Sequence, residues 1–86
     1  MIEMKELHYF LVCADKCSMS NAATALYTSQ PNVSKVIKGL EQKLGYAVFQ
    51  RDRQGIRLTQ KGKVLQQYAS DIIDKESKIE NLPTQM

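Results

Sequence analysis

Apolar side chains recur at helical spacing near the start of the chain. Four of them occupy positions i, i+3, i+4 and i+7 of one helical face: Leu7, Phe10, Leu11 and Ala14. This spacing predicts a first helix over residues 4–16 with one face turned to a core. The pattern breaks at residues 17–20, and a short second helix follows, with the apolar residues Ala22, Ala23 and Leu26. Either Ser18 or Ser20 can cap this second helix.

A third helix is predicted to begin at residues 29–31, after a tight turn. Ser29 is a favourable N-cap, and Pro31 loses no hydrogen bond in the first helical turn. Gly45 suits the position just beyond the last helical residue. One face of this helix is apolar, with Val33, Val36, Ile37, Leu40 and Leu44. The opposite face carries Gln30, Pro31, Ser34, Lys35, Lys38 and Gln42. The second and third helices together predict a helix-turn-helix.

The helical period stops at residues 46–59, and a hairpin is predicted there. Two short β-prone segments, residues 47–50 and 56–59, flank the turn-forming residues 52–55. A hairpin at this place is a wing, and its arginines are Arg51, Arg53 and Arg57. The predicted fold is therefore mainly α: a winged helix-turn-helix with a three-helix core and a two-stranded β wing.

A long final helix is predicted from residue 60 to about residue 80, with Thr59 as its cap. Its apolar face consists of Val64, Leu65, Tyr68, Ala69, Ile72 and Ile79. This stripe is longer than a small core can cover, so we expect a second copy of the chain to bury part of it. The expected dimer interface comprises Val64, Leu65, Tyr68, Ile72 and Ile79. We divide the chain into a winged helix-turn-helix at residues 1–59, a dimerisation or linker helix at 60–81 and a tail or the start of a linker at 82–86.

Composition adds one feature to this pattern, an uneven distribution of charge. The 86 residues are 43% hydrophobic and carry a net charge of +3, which suits one small globular domain. Residues 35–63 hold eight basic and two acidic side chains, whereas the segments before and after have net charges of −1 and −2. A basic block of this kind predicts a polyanionic partner, with nucleic acid the first candidate.

The sequence holds no cluster of residues typical of catalysis or metal binding. His8 stands alone, and Cys13 and Cys17 have no second cysteine pair or clustered histidine near them, so we interpret them as ordinary thiols. There is no phosphate-cradling glycine loop and no paired acids, so neither an enzyme nor a cofactor or metal site is expected. The chain also lacks the pattern of a signal peptide or membrane span, and we expect a cytoplasmic protein.

Six segments, in order and at matching spacing, resemble the N-terminal DNA-binding domain of LysR-type transcriptional regulators. They are residues 7–10, 18–26, 29–35, 40–45, 49–51 and 58–62. Two positions depart from the family pattern: Cys17 replaces a common glycine, and Asn32 replaces a small apolar residue. The resemblance implies a dimer that binds double-stranded DNA at an interrupted inverted repeat and regulates transcription. Members of that family continue into a larger region where a small-molecule effector would bind, so this sequence is expected to be either part of such a protein or a naturally short relative.

The resemblance further implies which side chains face the DNA. On the third helix they are Ser29, Gln30, Pro31, Ser34, Lys35 and Lys38, with Asn32 farther round the helix. Arg51, Arg53 and Arg57 of the wing suit a minor groove and the backbone, and Ser18 and Ser20 suit a phosphate. The alternatives are a winged-helix module that binds protein and a winged-helix regulator of another family. Polar side chains on the outer face of the third helix favour DNA.

Overall fold

The computed structural model describes residues 1–84, and residues 85 and 86 of the predicted tail lie outside this range. Its elements are α1 (Met4–Lys16), α2 (Met19–Ala25), α3 (Gln30–Leu44), β1 (Phe49–Asp52), β2 (Gly55–Leu58) and α4 (Gln60–Glu80). This order confirms the predicted winged helix-turn-helix with a long final helix.

Side-chain caps begin three of the helices where the sequence predicts them. The Ser18 hydroxyl accepts a hydrogen bond from the Asn21 N–H at 3.2 Å, so Ser18 rather than Ser20 caps α2. Ser29 caps α3 in the same way, and Thr59 caps α4. These bonds satisfy N–H groups that have no partner within their own helix. The starts of these helices are thus determined by local chemistry.

The core lies between the helices and the base of the wing. Its largest fully buried side chains are Phe10, Leu40, Val33, Val48 and Cys13. The rings of Phe10 and Phe49 lie 5.3 Å apart between centroids, which joins α1 to β1. Ala69 of α4 is also buried, and Leu65 packs at the edge of the core. The first half of α4 therefore belongs to the same packed body as the wing.

The wing is an antiparallel hairpin in which Phe49 pairs with Leu58 and Asp52 with Gly55. The prediction of the strand bounds is wrong: the segment 47–50 begins two residues before β1, and the segment 56–59 ends one residue after β2. The first strand begins late because the Val48 N–H donates to the Glu41 carboxylate at 2.7 Å instead of to β2. A two-residue loop then joins the strands, which is a common connection in hairpins.

Two glycines allow backbones to approach each other closely. Gly55 has a φ of 131°, and a Cβ there would overlap the carbonyl oxygen of Cys17. That carbonyl accepts a hydrogen bond from the Ile56 N–H at 3.2 Å. Cys17 itself has a left-handed φ of 54°. A Cβ on Gly62 would overlap the carbonyl oxygen of Val48. The wing is thus held against the α1–α2 turn and against the first turn of α4.

The apolar stripe predicted on α4 is divided between the core and the surface. Ala69 and Leu65 pack inward, whereas four other members remain solvent-exposed: Val64, Tyr68, Ile72 and Ile79. Helix α4 has 21 residues and is about 31 Å long, in a molecule with extents of 51 × 26 × 20 Å. Its apolar surface is therefore larger than this chain alone covers.

Candidate nucleic-acid interface

The outer face of α3 is polar, basic and open to solvent. Gln30, Pro31, Lys35 and Lys38 are exposed and Ser34 is half-buried, whereas the opposite face is buried in the core. A shallow concave surface runs along the outer face, lined by Pro31, Ser34, Lys35, Lys38, Gly39 and Gln42. The core thus holds α3 firmly while this face remains available to a partner.

A second concave surface brings together side chains from α2, α3 and the wing. Among the residues that line it are Ser18, Ser20, Gln30, Arg51 and Asp52. The Arg51 guanidinium donates to the Ser34 hydroxyl at 3.3 Å, which links the wing to α3. The structure therefore gathers residues that are 30 or more positions apart, such as Ser18 and Arg51, on one continuous surface.

The three arginines of the wing have different environments. Arg51 contacts Ser34, and Arg53 is exposed in the two-residue loop. Arg57 is ion-paired, with its Nε 2.9 Å from a carboxylate oxygen of Asp52. The sequence does not show which of these three arginines is ion-paired. In the part of the chain that the structure describes, only Arg57 has an acidic partner.

Asn32 and Ser29 serve the start of α3 itself. The Asn32 side-chain amide donates to the Thr28 hydroxyl at 2.9 Å, and the Asn32 N–H donates to Ser29. Asn32 is half-buried and lines a groove beside Glu3, Lys5 and other residues on the side of α3 toward α1. These bonds stabilise the turn of the helix-turn-helix, and Tyr27 in that turn has a left-handed φ of 55°.

Glu6 and Lys43 form an ion pair that the sequence pattern does not single out. The Glu6 side chain is about one-tenth exposed, and its Oε1 lies 3.0 Å from the Lys43 ammonium and 2.8 Å from the Glu3 N–H. Burial alone raises the pKa of the Glu6 carboxyl, but the Glu3 hydrogen bond and Lys43 outweigh burial and leave that pKa lowered. This pair joins α1 to the C-terminal part of α3 and so orients the outer face of α3.

Replacing Lys43 with methionine is expected to lower the free energy of unfolding by about 1–2 kcal/mol at pH 7. The pKa of Glu6 is lowered by folding, so the stability contributed by its ionised form is present above its unfolded-state pKa. That contribution is lost as the pH falls through the lowered value. Urea unfolding at pH 7 and at about pH 3 should therefore show a smaller difference from wild type at pH 3 than at pH 7.

Lys38→Met provides the control for this measurement. Lys38 is an exposed residue of the same helix and has no ion pair within residues 1–84. We expect its unfolding free energy to stay within about 0.5 kcal/mol of wild type at both pH values. An equal loss in the two variants, or a Lys43→Met effect that persists at low pH, would contradict the role given to the ion pair.

Glu41 is a second positioning residue that the sequence pattern leaves unmarked. One carboxylate oxygen accepts hydrogen bonds from the Val48 N–H at 2.7 Å and the Phe49 N–H at 3.4 Å. Both donors belong to buried residues. Buried N–H groups need a partner, so Glu41 fixes where the chain leaves α3 and enters the wing. The only sequence signal for this role of Glu41 is that an acidic residue stands near the end of α3, shortly before the loop that leads to the wing.

The exposed part of the α4 stripe borders an open groove of about 450 Å³. Its lining consists of Met4, Asp71, Ile72, Lys75, Glu76 and Ile79. Two of the predicted interface residues, Ile72 and Ile79, therefore lie together with the start of α1. Val64 and Tyr68 are exposed nearer the start of α4, and Leu65 packs partly against the core of its own chain.

The structure assigns no other chemistry to the described residues. Among residues 1–84 there is no group of three or more histidine, cysteine and acidic residues that could hold a metal ion. Both cysteines are free, and burial raises the pKa of the Cys13 thiol to about 11, so that thiol stays protonated at neutral pH. Within the same range, no helix has the length and apolar character that crossing a membrane requires.

Comparison with known proteins identifies relatives over most of the chain. Residues 4–63 match the family described as bacterial regulatory helix-turn-helix protein, lysR family. The transcriptional regulator ClcR of Pseudomonas putida is 38% identical over 61 residues, which is 71% of this chain and 21% of that protein. YkuM of Bacillus subtilis, described as an uncharacterised transcriptional regulator, is 32% identical over 78 residues, which is 91% of this chain and 27% of that protein. The chain thus spans about a quarter of the length of these curated relatives.

Solved structures share the same architecture. The CbnR_DBD–DNA complex matches with a TM-score of 0.89 and 30% identity, and covers 93% of this chain and 92% of that chain. The complex of BenM_DBD with catB site 1 DNA matches with a TM-score of 0.88 and 28% identity, and covers 91% and 87% of the two chains. In both cases the similar protein was crystallised with DNA.

Proposed function

Because this chain belongs to the LysR family of bacterial regulatory helix-turn-helix proteins, we propose that it binds double-stranded DNA sequence-specifically and regulates transcription. The observation that carries the proposal is the concave surface on which Ser18, Gln30 and Arg51 meet. It joins the start of the recognition helix α3 to two elements suited to the DNA backbone. The two similar proteins that were crystallised with DNA support this assignment.

Recognition of bases is assigned to the exposed face of α3. A glutamine such as Gln30 can donate to and accept from adenine in the major groove, and Pro31 offers an apolar contact to a thymine methyl group. Lys35 and Lys38 can reach guanine or phosphate from the same face. Ser29 and Asn32 act mainly through their hydrogen bonds within the turn, which hold the first turn of α3 in place.

Binding of phosphates is assigned to the residues on either side of α3. Arg51 and Arg53 bring positive charge from the wing, and the exposed Lys63 adds charge at the start of α4. Ser18 and Ser20 offer hydroxyl groups at the start of α2. Such contacts set the position of the protein on DNA and carry most of its sequence-independent affinity.

We further propose that two copies associate through the exposed apolar residues of α4 and bind the two halves of an inverted repeat. Val64, Tyr68, Ile72 and Ile79 form the contact, together with the exposed edge of Leu65. Symmetric association would bury this surface, and each copy would present one recognition helix. A cytoplasmic location follows from the proposed target. A protein-binding role is not favoured, because the large exposed apolar side chains of residues 1–84 all lie outside α3.

The decisive experiment compares Gln30→Ala with Lys63→Ala. Gln30→Ala should reduce discrimination between a selected duplex and a scrambled duplex by about 1–3 kcal/mol. Lys63→Ala should weaken binding to both duplexes equally, since a phosphate contact carries no sequence information. Fluorescence anisotropy titrations, with a selected duplex obtained from a random pool by the wild-type protein, measure both effects.

The salt dependence of wild-type binding gives an independent check on the same proposal. If each copy neutralises about three to five phosphates, the log–log slope of affinity against salt should be about −5 to −9 for the dimer. Equal losses on the two duplexes for Gln30→Ala would remove Gln30 from base recognition. Wild-type protein that binds the selected and scrambled duplexes alike would overturn the proposed function.

A further inference from the structure

Asp52 is an acidic residue inside the basic surface proposed to bind DNA. Between residues 42 and 70 it is the only acidic residue, against six basic ones. It lines the same concave surface as Ser18, Gln30 and Arg51. A carboxylate in this place repels phosphate, so it opposes the interaction that the surrounding cations favour.

Both oxygens of the Asp52 carboxylate have partners in the wing. Oδ2 lies 2.9 Å from Arg57 Nε, and Oδ1 accepts a hydrogen bond from the Gln54 N–H at 2.8 Å. Asp52 pairs with Gly55 across the hairpin, so Arg57 is its diagonal neighbour on the opposite strand. The Asp52 side chain is one-third exposed and makes both of these contacts, whereas the Arg57 side chain is 73% exposed.

The ion pair makes Arg57 different from the other arginines of the wing. A phosphate that approaches Arg57 must compete with a carboxylate already in contact with its guanidinium. Arg51 and Arg53 have no such competitor among the described residues. The free positive charge of the wing is consequently smaller than its three arginines suggest.

We propose that Asp52 limits the sequence-independent affinity of the wing for DNA by holding Arg57 away from the phosphate backbone. This inference rests on the proposed DNA-binding function. Arg57 then contributes little to DNA binding as long as its ion pair with Asp52 is intact. The base contacts of α3 are unaffected, since neither Asp52 nor Arg57 belongs to that helix.

Asp52→Asn tests the proposal in the 86-residue chain. Asparagine retains an acceptor for the Gln54 N–H but removes the charge that holds Arg57. We expect affinity to rise about 5- to 10-fold for both a selected and a scrambled duplex, with a salt slope steeper by about 0.9 for each copy. Asp74→Asn changes the net charge equally and also removes the acidic partner of an exposed ion pair, with Lys78 on α4, and it should raise affinity less than about twofold.

Arg57→Gln supplies a second test that does not depend on the hairpin turn at Asp52. In the wild-type background it should change DNA affinity less than about twofold, whereas in the Asp52→Asn background it should remove the gain. Thermal unfolding of each variant checks that the wing remains folded.

The possible outcomes separate this inference from the proposed function. A tenfold loss for Arg57→Gln in the wild-type background would show that Arg57 already binds DNA, and would overturn the inference. So would an Asp52→Asn variant that binds no more tightly than Asp74→Asn. In both cases the wild-type protein still prefers its selected duplex, so the proposed function stands. A wild-type protein without that preference would overturn both.

Discussion

Gly62→Ala is expected to lower the free energy of unfolding by about 2–3 kcal/mol. Alanine normally stabilises a helix relative to glycine by about 1 kcal/mol, so the expected sign is reversed at this position. The reason is the carbonyl oxygen of Val48, which occupies the space that a Cβ on Gly62 would take. Because that oxygen belongs to the backbone, it can move away only if α4 shifts relative to the base of the wing.

Gly39→Ala is the matched control, since Gly39 is also a helical glycine. A Cβ there would meet Glu6 Oε2 at 3.8 Å, which is ordinary van der Waals contact. We expect this variant to gain about 0.5–1 kcal/mol. Urea unfolding of both variants and of wild type provides the comparison. Two variants that shift stability in the same direction would show that the contact between Gly62 and Val48 does not constrain α4.

Ile72→Glu is expected to convert the proposed dimer into folded monomers. Ile72 lies in the apolar groove with Met4 and Ile79, where symmetric association would bury it. A carboxylate at this position would lose its hydration in the contact and would lie in a groove that already holds Asp71 and Glu76, so Lys75 would offset only part of a cost of several kcal/mol for each copy. Sedimentation velocity should show the monomer, and affinity for a duplex with two half-sites should fall at least about 100-fold as bivalent binding is lost.

Ser70→Glu tests whether added charge alone explains the loss of association. Ser70 is an exposed residue of α4 outside the apolar stripe, and its substitution places the same charge on the same helix. We expect this variant to remain dimeric, with DNA affinity within about threefold of wild type. An Ile72→Glu protein that sediments as a dimer would exclude the proposed interface. Thermal unfolding of both variants verifies that they are folded.

The helices follow from the sequence because their signals are local. Ser29, Pro31 and Gly45 lie within or beside α3, and each acts on the backbone next to it. The same holds for Thr59 and α4. Periodic apolar residues complete these local signals, so the ends of α3 and α4 agree with the prediction.

The wing was predicted less accurately because its register depends on contacts between distant residues. The carboxylate of Glu41 binds the Val48 N–H and thereby moves the start of β1. The register in turn brings Arg57 next to Asp52. No local pattern distinguishes Arg57 from the other arginines, so the sequence predicts a basic wing but not which of its charges are free.

The candidate site shows the same difference between local pattern and distant contact. The polar face of α3 was predictable from helical periodicity. The contact between Glu6 and Lys43 joins residues 37 positions apart, and only the fold shows it. Similarly, a helical wheel groups Leu65 and Ala69 with the exposed residues of α4, although both pack inward. Periodicity identifies an apolar face but not which part of it the chain's own core covers.

The connection between the wing and α4 is held by two side-chain hydrogen bonds and one close backbone approach. The Thr59 hydroxyl accepts from the Gly62 N–H and donates to the Ala47 carbonyl oxygen at 2.8 Å, while Gly62 lies against Val48. In the proposed dimer, α4 would therefore fix the distance and the relative orientation of the two recognition helices. One base pair inserted between the half-sites rotates one of them by about 34° about the DNA axis. A protein without a hinge at this joint can follow that rotation only if the DNA is overtwisted or undertwisted, so its operators should tolerate little variation in spacing.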